Sequence, residues 1–302
     1  MQRMLVLAAA LAGACGAHGP PVYIVLATTT SVGSSGLLDV LVPAWRREGG
    51  VEIRPMLVGS GRALRLLEEG QADLVISHAP GMEAAMMATH AAAWHYRKIM
   101  YNDFVLVGPA ADPAAARTAA TLEDALRGIA ASKTPFVSRG DRSGTHEREQ
   151  ALWQLAGIAP GEVLTSGAGM AVTLRQASDQ DAYTLADRAT FEQMKGRVQL
   201  QIVWQGDPRL LNSYAVVVNR LGPRSAETLA FADWLAGGRG REAIAAYRIH
   251  GSGLPPFTVW PETAGHQPHS VPPTDQRPET RVSSSSTSLG RVDRRTCRTV
   301  QG

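Results

Sequence analysis

The sequence predicts an α/β fold in which mostly parallel, well-covered sheets alternate with helices. Short apolar runs of strand length alternate along the chain with longer amphipathic runs. Of the 302 residues, 44% are hydrophobic and 19% are charged, which allows one large domain or two modest ones with real hydrophobic cores. No internal repeat is found, so a solenoid or propeller is not indicated.

The individual elements follow from composition and spacing. The apolar, β-rich runs predict strands over residues 22–27, 51–58, 72–76, 104–107, 136–137, 182–185, 198–204 and 214–218. The amphipathic runs that follow most of them predict helices over residues 35–47, 61–69, 121–131, 145–156, 170–177, 188–195, 225–236 and 239–247. Thr121 with Asp124, and Ser225 with Thr228, mark two helix starts.

The two ends of the chain depart from this alternation. Residues 1–20 combine an early arginine, an apolar run and small residues around Cys15, which predicts an export signal too short to span a membrane. The segment AGAC that ends at Cys15 fits both a lipobox, in which Cys15 would carry a lipid anchor, and an ordinary cleavage site. Residues 262–302 contain almost no large apolar side chains and predict a disordered tail. We therefore expect the protein in the periplasm or at the extracytoplasmic face.

Several classes of function find no support in the residues. The formal net charge of +3 is small and the basic residues are spread out, so nucleic acid is not an expected partner. The run Gly140–Gly144 lacks the spacing of a serine nucleophile elbow. His90 and His95 would not share a helix face, and His146 with Glu149 lacks a third metal ligand. We expect no enzyme activity, no cofactor and no metal.

Three predicted strand-to-helix turns are rich in serine, threonine and glycine: residues 28–36, 59–61 and 138–145. In α/β sheets, ligands collect where strands end and helices begin. Helix N-termini present free N–H groups and partial positive charge, and Arg139 adds a guanidinium fork. Helix capping would explain any one such turn, whereas three together favour a binding site for a small anion with many acceptor oxygens.

Seven motifs add a resemblance to a known family. They are TTTS at residue 28, GSGRAL at 59, ADLVISHA at 72, NDFVLVGP at 102, SRGDRSGTH at 138, GAGM at 167 and YTLADRAT at 183. In this order they make residues 22–261 resemble the tungstate-binding proteins of ABC uptake systems, the TupA type.

The resemblance implies a two-lobed periplasmic binding protein fold of type II, each lobe a mostly parallel sheet flanked by helices. Lobe 1 would comprise residues 21–103 and 205–261, and lobe 2 residues 104–204. Tungstate, or molybdate, would be held between the lobes of a monomer and handed to the permease of an ABC transporter in the membrane.

The ligand contacts are expected from all three turns. The predicted set is Thr29, Thr30, Ser31, Ser60, Gly61, Arg139, Ser143, Gly144 and Thr145. Met170 is a further cleft candidate, although Met170, Tyr183, Asp187 and Arg188, which all match family motifs, are interpreted first as lobe packing and hinge support.

Position 78 bears on which anion is bound. The sequence is similar to phosphate-binding proteins of the same superfamily in the run from Arg139 to Thr145, but these place an aspartate where His78 stands. A carboxylate can accept the proton of phosphate and would repel a fully deprotonated dianion, so its absence favours sulfate-like, molybdate or tungstate dianions over phosphate. His78 is alternatively a structural histidine beside the cleft, and Asp141 is expected to brace Arg139 through an ion pair. A phosphate- or sulfate-binding protein and an oxyanion sensor subunit remain the alternatives.

Overall fold

The computed structural model describes residues 22–249, 253–268 and 270. The predicted export signal, with Cys15, and most of the predicted tail lie outside these residues. The strands are β1 (Tyr23–Thr29), β2 (Glu52–Val58), β3 (Leu74–Ser77), β4 (Trp94–Pro109), β5 (Phe136–Ser138), β6 (Val163–Thr165), β7 (Thr184–Asp187), β8 (Leu200–Trp204), β9 (Leu211–Asn219) and β10 (Thr258–Val259). The helices are α1 (Thr30–Ser34), α2 (Leu38–Arg47), α3 (Ser60–Glu68), α4 (Pro80–His90), α5 (Leu122–Ala131), α6 (Gly144–Ala156), α7 (Met170–Asp179), α8 (Arg188–Met194), α9 (Ser225–Gly237) and α10 (Arg239–Ala246).

The strands form two lobes that share β4. In lobe 1 the strand order is β10-β4-β9-β3-β1-β2, and the first half of β4 pairs with β9 down to Asp103. In lobe 2 the second half of β4, from Phe104 onward, pairs with β7 and β8, while β5 pairs with β6. The chain therefore crosses between the lobes at Asp103–Phe104, inside one continuous strand.

Both lobes have cores on the two faces of their sheets. In β9, Val216 and Val218 pack on one face of the sheet, and Val217 packs on the other. In β4, Phe104 and Val105 likewise belong to separate core clusters. Side chains that alternate between two buried faces explain why the runs 104–107 and 214–218 are apolar throughout.

The α/β class is confirmed, but the pairing is mixed rather than mostly parallel. Strand β1 is parallel to β2 and β3, whereas β9 runs antiparallel to both β3 and β4. In lobe 2, β4 runs antiparallel to β7 and β8. The alternation of strands and helices predicted parallel neighbours, because it cannot reveal that one strand returns from the second lobe into the middle of the first sheet.

The predicted helices from residue 61 onward begin and end within two residues of those observed, but several elements gave no sequence signal. The predicted helix 35–47 begins only at Leu38, because Gly36 adopts a φ of +76°, and the short helix α1 before it was not predicted. Helix α4 fully buries only Glu83, and its methionines are only partly buried against the core, so its hydrophobic pattern is weak. The predicted strand 104–107 is the inner part of β4, whose first half carries polar residues.

Both predicted helix starts are confirmed, but only the first is a capping pair. Thr121 Oγ1 accepts the N–H of Asp124 at 3.1 Å and caps α5. Helix α9 has Arg224 at its N-cap, without a side-chain cap bond, and Thr228 Oγ1 instead donates to the Arg224 carbonyl at 2.9 Å.

Residues 262–268, which the sequence assigns to the tail, lie against lobe 1. Trp260 is buried, packs edge-on against Tyr101 of β4, and donates from Nε1 to the Gly265 carbonyl at 3.2 Å. Ala264 is also buried. The packed part of the chain thus extends beyond the end of the predicted lobe 1.

Candidate anion-binding site

Four helix N-termini lie at the junction of the lobes. In lobe 1, β1 and β2 are neighbours with Thr29 opposite Val58, so α1 and α3 begin side by side. In lobe 2, β5 and β6 are neighbours, and α6 and α7 begin beyond their ends. All four helices begin in turns built from serine, threonine and glycine, which expose backbone N–H groups.

The turns of the two lobes are in close contact. A Cβ atom placed on Gly169 would lie 3.3 Å from Thr30 Oγ1, and one placed on Gly61 would lie 3.6 Å from the Arg142 carbonyl oxygen. On Gly144 it would lie 2.2 Å from the His78 carbonyl oxygen, which is too close for any side chain. The structure therefore brings the three predicted turns together at one place, with the lobes closed on each other.

Arg139 is the buried cation of this junction. The residue is 2% exposed, and its Nη2 forms the predicted ion pair with Asp141. Asp141 is itself held by the Ser143 N–H at 3.1 Å. Nε and Nη1 of Arg139 are buried and have no partner among the described residues. A guanidinium fixed on one side and unsatisfied on the other is suited to hold an oxyanion.

The hydroxyl groups of the turns divide into caps and unpartnered groups. Thr29 Oγ1 and Ser143 Oγ each accept a backbone N–H at 3.3 Å, which caps α1 and α6. Thr145 Oγ1 is buried without a partner among the described residues, and so is Thr28 Oγ1. Thr28 was not among the predicted contacts, although it opens the TTTS run.

The second turn presents a buried hydroxyl next to His78, whose carbonyl oxygen contacts Gly144. Ser60 is completely buried, and its Oγ accepts the His78 N–H at 3.3 Å, so its own hydrogen remains to be donated. Gly61 is buried in the same turn of α3. In the first turn Ser31 is buried and Thr30 is half-buried.

His78 is a neutral histidine that Asn212 and Tyr214 hold beside the cleft. Asn212 donates to Asn102 Oδ1 at 2.8 Å and to the Tyr214 hydroxyl at 2.9 Å, so its oxygen faces His78 Nδ1 at 2.9 Å. The ring stacks on Tyr214 with the centroids 4.8 Å apart. Burial lowers the pKa of His78 to about 4, and the imidazole therefore carries a single proton, on Nδ1. This geometry favours the structural alternative for His78.

Two carboxylates lie near the site although the sequence did not predict them as part of it. Asp187 lies close enough to His78 to oppose the lowering of its pKa, and its Oδ2 is buried with no partner among the described residues. Glu149 accepts the Arg139 N–H at 3.2 Å, and burial raises its pKa to about 7. The absence of an aspartate at position 78 therefore does not leave the junction free of carboxylates.

Met170 packs in the core of lobe 2 rather than lining the cleft. Its side chain is 1% exposed and belongs to the cluster that contains Val105 and Val107. What reaches the junction is the preceding loop, in which Gly167 N–H donates to the Arg139 carbonyl at 2.9 Å. Residues 166–169 thus form a fourth turn that was not predicted as part of the site.

The titratable residues of the described chain do not assemble a metal site. Across residues 22–249, 253–268 and 270, no group of three His, Cys, Asp or Glu side chains is placed to hold a metal ion. Over those same stretches, no helix is both long and apolar enough to cross a bilayer.

Two lobes that share a strand and bring helix N-termini together define a solute-binding protein of the periplasmic type. The profile described as the PBP superfamily domain matches residues 16–239, so the chain belongs to the PBP superfamily. Within it, the chain belongs to the family of the tungstate-binding protein TupA.

The relatives that show this membership match most of the chain. The tungstate-binding protein TupA of Peptoclostridium acidaminophilum is 38% identical over 245 residues, which cover 78% of this chain and 85% of the relative. The tungstate ABC transporter structure from Geobacter sulfurreducens superimposes with a TM-score of 0.67 at 36% identity, covering 74% of this chain and 98% of that one. TupA from Desulfovibrio alaskensis G20 gives a TM-score of 0.64 at 36% identity, covering 78% and 98%.

Proposed function

We propose that this protein captures a tetrahedral oxyanion dianion, tungstate before molybdate, and delivers it to the permease of an ABC transporter. The observation that carries the proposal is the set of buried, unpartnered polar groups at the junction: Arg139 Nε and Nη1 with the hydroxyls of Thr28 and Thr145. A buried guanidinium without partners is costly unless a ligand satisfies it. The family of the chain supports tungstate as that ligand.

The proposed ligand shell combines charge, hydroxyls and backbone N–H groups. Arg139 supplies the charge and a bidentate contact. The remaining donors are Thr29, Thr30, Ser31, Ser60, Gly61, Ser143, Gly144 and Thr145, to which the structure adds Thr28. We assign Asp141 to holding the guanidinium and His78 to holding Ser60, so neither needs to touch the anion.

The proposed setting is extracytoplasmic. The relatives are binding proteins of ABC transport systems, which supports delivery to a permease rather than catalysis. We propose that residues 1–20 direct export and that the protein acts as a monomer without a cofactor. Lipid attachment at Cys15 is tested by labelling cells with a radioactive fatty acid.

Side-by-side calorimetry with tungstate, molybdate, sulfate and phosphate at pH 7.5 tests the proposal. We expect one anion per chain, with tungstate and molybdate bound at least about tenfold more tightly than phosphate. Failure to bind any of the four anions would overturn the proposal.

A second candidate, phosphate binding, is favoured by Asp187. Its unpartnered buried Oδ2 is an acceptor that a protonated oxyanion could satisfy and a bare dianion could not. The same titration decides between the two, because tighter binding of phosphate than of tungstate would select this candidate.

A further inference from the structure

Helix α4 begins without a cap of its own. Its N-cap residue is Ala79, which has no polar side chain, and Pro80 follows as the first helical residue. The N–H groups of Gly81 and Met82 therefore have no acceptor within the helix. A helix N-terminus attracts negative charge, but the carboxylate in the first turn of α4, Glu83, accepts the Ala79 N–H at 3.0 Å instead.

The missing acceptor comes from the other lobe. Glu147, in the first turn of α6, accepts the Gly81 N–H through Oε1 at 2.9 Å and the Met82 N–H through Oε2 at 3.3 Å. A Cβ on Gly81 would lie 3.0 Å from Glu147 Oε1, so the absence of a side chain at residue 81 leaves space for the carboxylate. One carboxylate of lobe 2 thus caps a helix of lobe 1 with both oxygens.

The same turn of α6 carries proposed ligand contacts. Gly144 and Thr145 lie within three residues of Glu147, and Gly144 is pressed against the His78 carbonyl of lobe 1. An anion that draws this turn toward lobe 1 therefore also brings Glu147 onto α4. In a separated pair of lobes, water would have to serve the N–H groups of Gly81 and Met82 instead.

We propose that Glu147 is an affinity-determining residue that holds the lobes closed over the bound anion without touching it. The inference rests on the proposed function, since closure is taken to accompany oxyanion binding. A contact made only in the closed form slows opening and hence release, and it leaves the encounter with the open form unchanged.

The test compares Glu147→Gln and Glu147→Ala with the wild-type protein, using tungstate as the probe. Glu227→Gln is the matched control, because Glu227 is also a glutamate in the first turn of a helix, α9, but lies within lobe 1. Calorimetry gives the dissociation constant, and stopped-flow tryptophan fluorescence gives the two rate constants. We expect about tenfold weaker binding for E147A and a smaller loss for E147Q, both through faster dissociation. E227Q should match the wild type.

The outcomes separate this inference from the proposed function. If the wild-type protein binds no oxyanion, the proposed function fails first. If the wild type binds tungstate and E147A binds equally well, the role of Glu147 is overturned. It is also overturned if E147A lowers the association rate. The same holds if E147A lowers the melting temperature of the free protein as much as that of the bound protein. In either case the contact would belong to the open form.

Discussion

At the scale of single residues, Arg139 shows how a buried cation is kept available for an anion. Asp141 occupies one face of the guanidinium and is fixed in turn by the Ser143 N–H, so the fork cannot rotate freely. The two remaining nitrogen atoms are buried and find no partner in the part of the chain that the structure describes. Preorganised donors of this kind bind without a large cost of ordering.

Replacement of Arg139 should therefore remove most of the affinity. We expect Arg139→Ala to weaken tungstate binding by roughly 1.5 to 3 kcal/mol or more, the range for a hydrogen bond to a charged group. Arg139→Lys keeps the charge and loses the planar fork, and should recover only part of the loss. Calorimetry measures both, with the exposed Arg175→Ala as the control. Unchanged affinity in R139A would remove Arg139 from the site.

His78 should make the fold less stable in acid. The unfolded histidine takes up a proton near its ordinary pKa of 6.5, whereas the buried one stays neutral down to about 4. Between these values the unfolded state binds more protons, so the free energy of unfolding falls as the pH falls, by roughly 3 kcal/mol in total. Urea unfolding of wild type and His78→Gln between pH 4 and 7.5 isolates this effect.

The comparison between the two proteins is needed because Glu149 acts in the opposite direction. Its raised pKa favours the folded state below about 7, and this contribution is common to both proteins. A difference in stability between wild type and H78Q that stays constant across the pH range would show that His78 titrates normally.

Much of the candidate site could be predicted at this scale, because three turns rich in glycine and hydroxyl residues at corresponding places are more than helix capping requires. Arg139, Ser60 and Thr145 were identified from the turns alone, and all three lie buried at the junction. Asp187 was interpreted as packing and hinge support and Glu149 only as an incomplete metal pair, because a carboxylate that approaches a site through tertiary packing leaves no local spacing that reveals its place.

At the scale of elements, the site depends on close approach between the first turn of α6 and the end of β3. Gly144 opens α6, and its Cα faces the His78 carbonyl across the two lobes. The contact is between backbone atoms, so no rotation of a side chain can relieve it. The sequence indicated a helix start here, but only the packed lobes show why residue 144 must lack a side chain.

Gly144→Ala should consequently oppose closure. The added methyl group would lie 2.2 Å from a backbone oxygen of the other lobe, so the lobes would have to stay apart. We expect tungstate affinity to fall at least about tenfold, while the melting temperature of the free protein changes little. Gly237→Ala is the matched control, since a methyl group there meets nothing within 4 Å. Equal affinities for G144A and wild type would exclude a closed state of this geometry.

Elements with a clear period were predictable, and those without one were not. Helix α5 buries Leu122, Ala125, Leu126 and Ile129, a helical spacing that the sequence displays. Helix α4 buries only Glu83, whose carboxylate accepts from Ser77, Ala79 and Tyr96. The methionines of α4 pack against the core but are only partly buried, so they leave a weak hydrophobic pattern.

At the scale of the whole molecule, binding should appear as compaction. The lobes meet through the turns and through Glu147, while β4 joins them at Asp103–Phe104. We expect the radius of gyration from small-angle X-ray scattering to decrease on addition of tungstate. R139A at the same anion concentration should show no change. Identical scattering of free and tungstate-saturated wild type would show that the lobes do not move.

The path of the chain through the two lobes also affects how it can fold. Strand β9 lies between β3 and β4, and Leu74 pairs with Val218 only after the whole of lobe 2 has intervened. The first half of the protein therefore lacks its central strand until the chain is nearly complete. Topologies that wait for such distant partners fold slowly, and that delay suits the export proposed above, in which the polypeptide passes through a translocation pore before it folds.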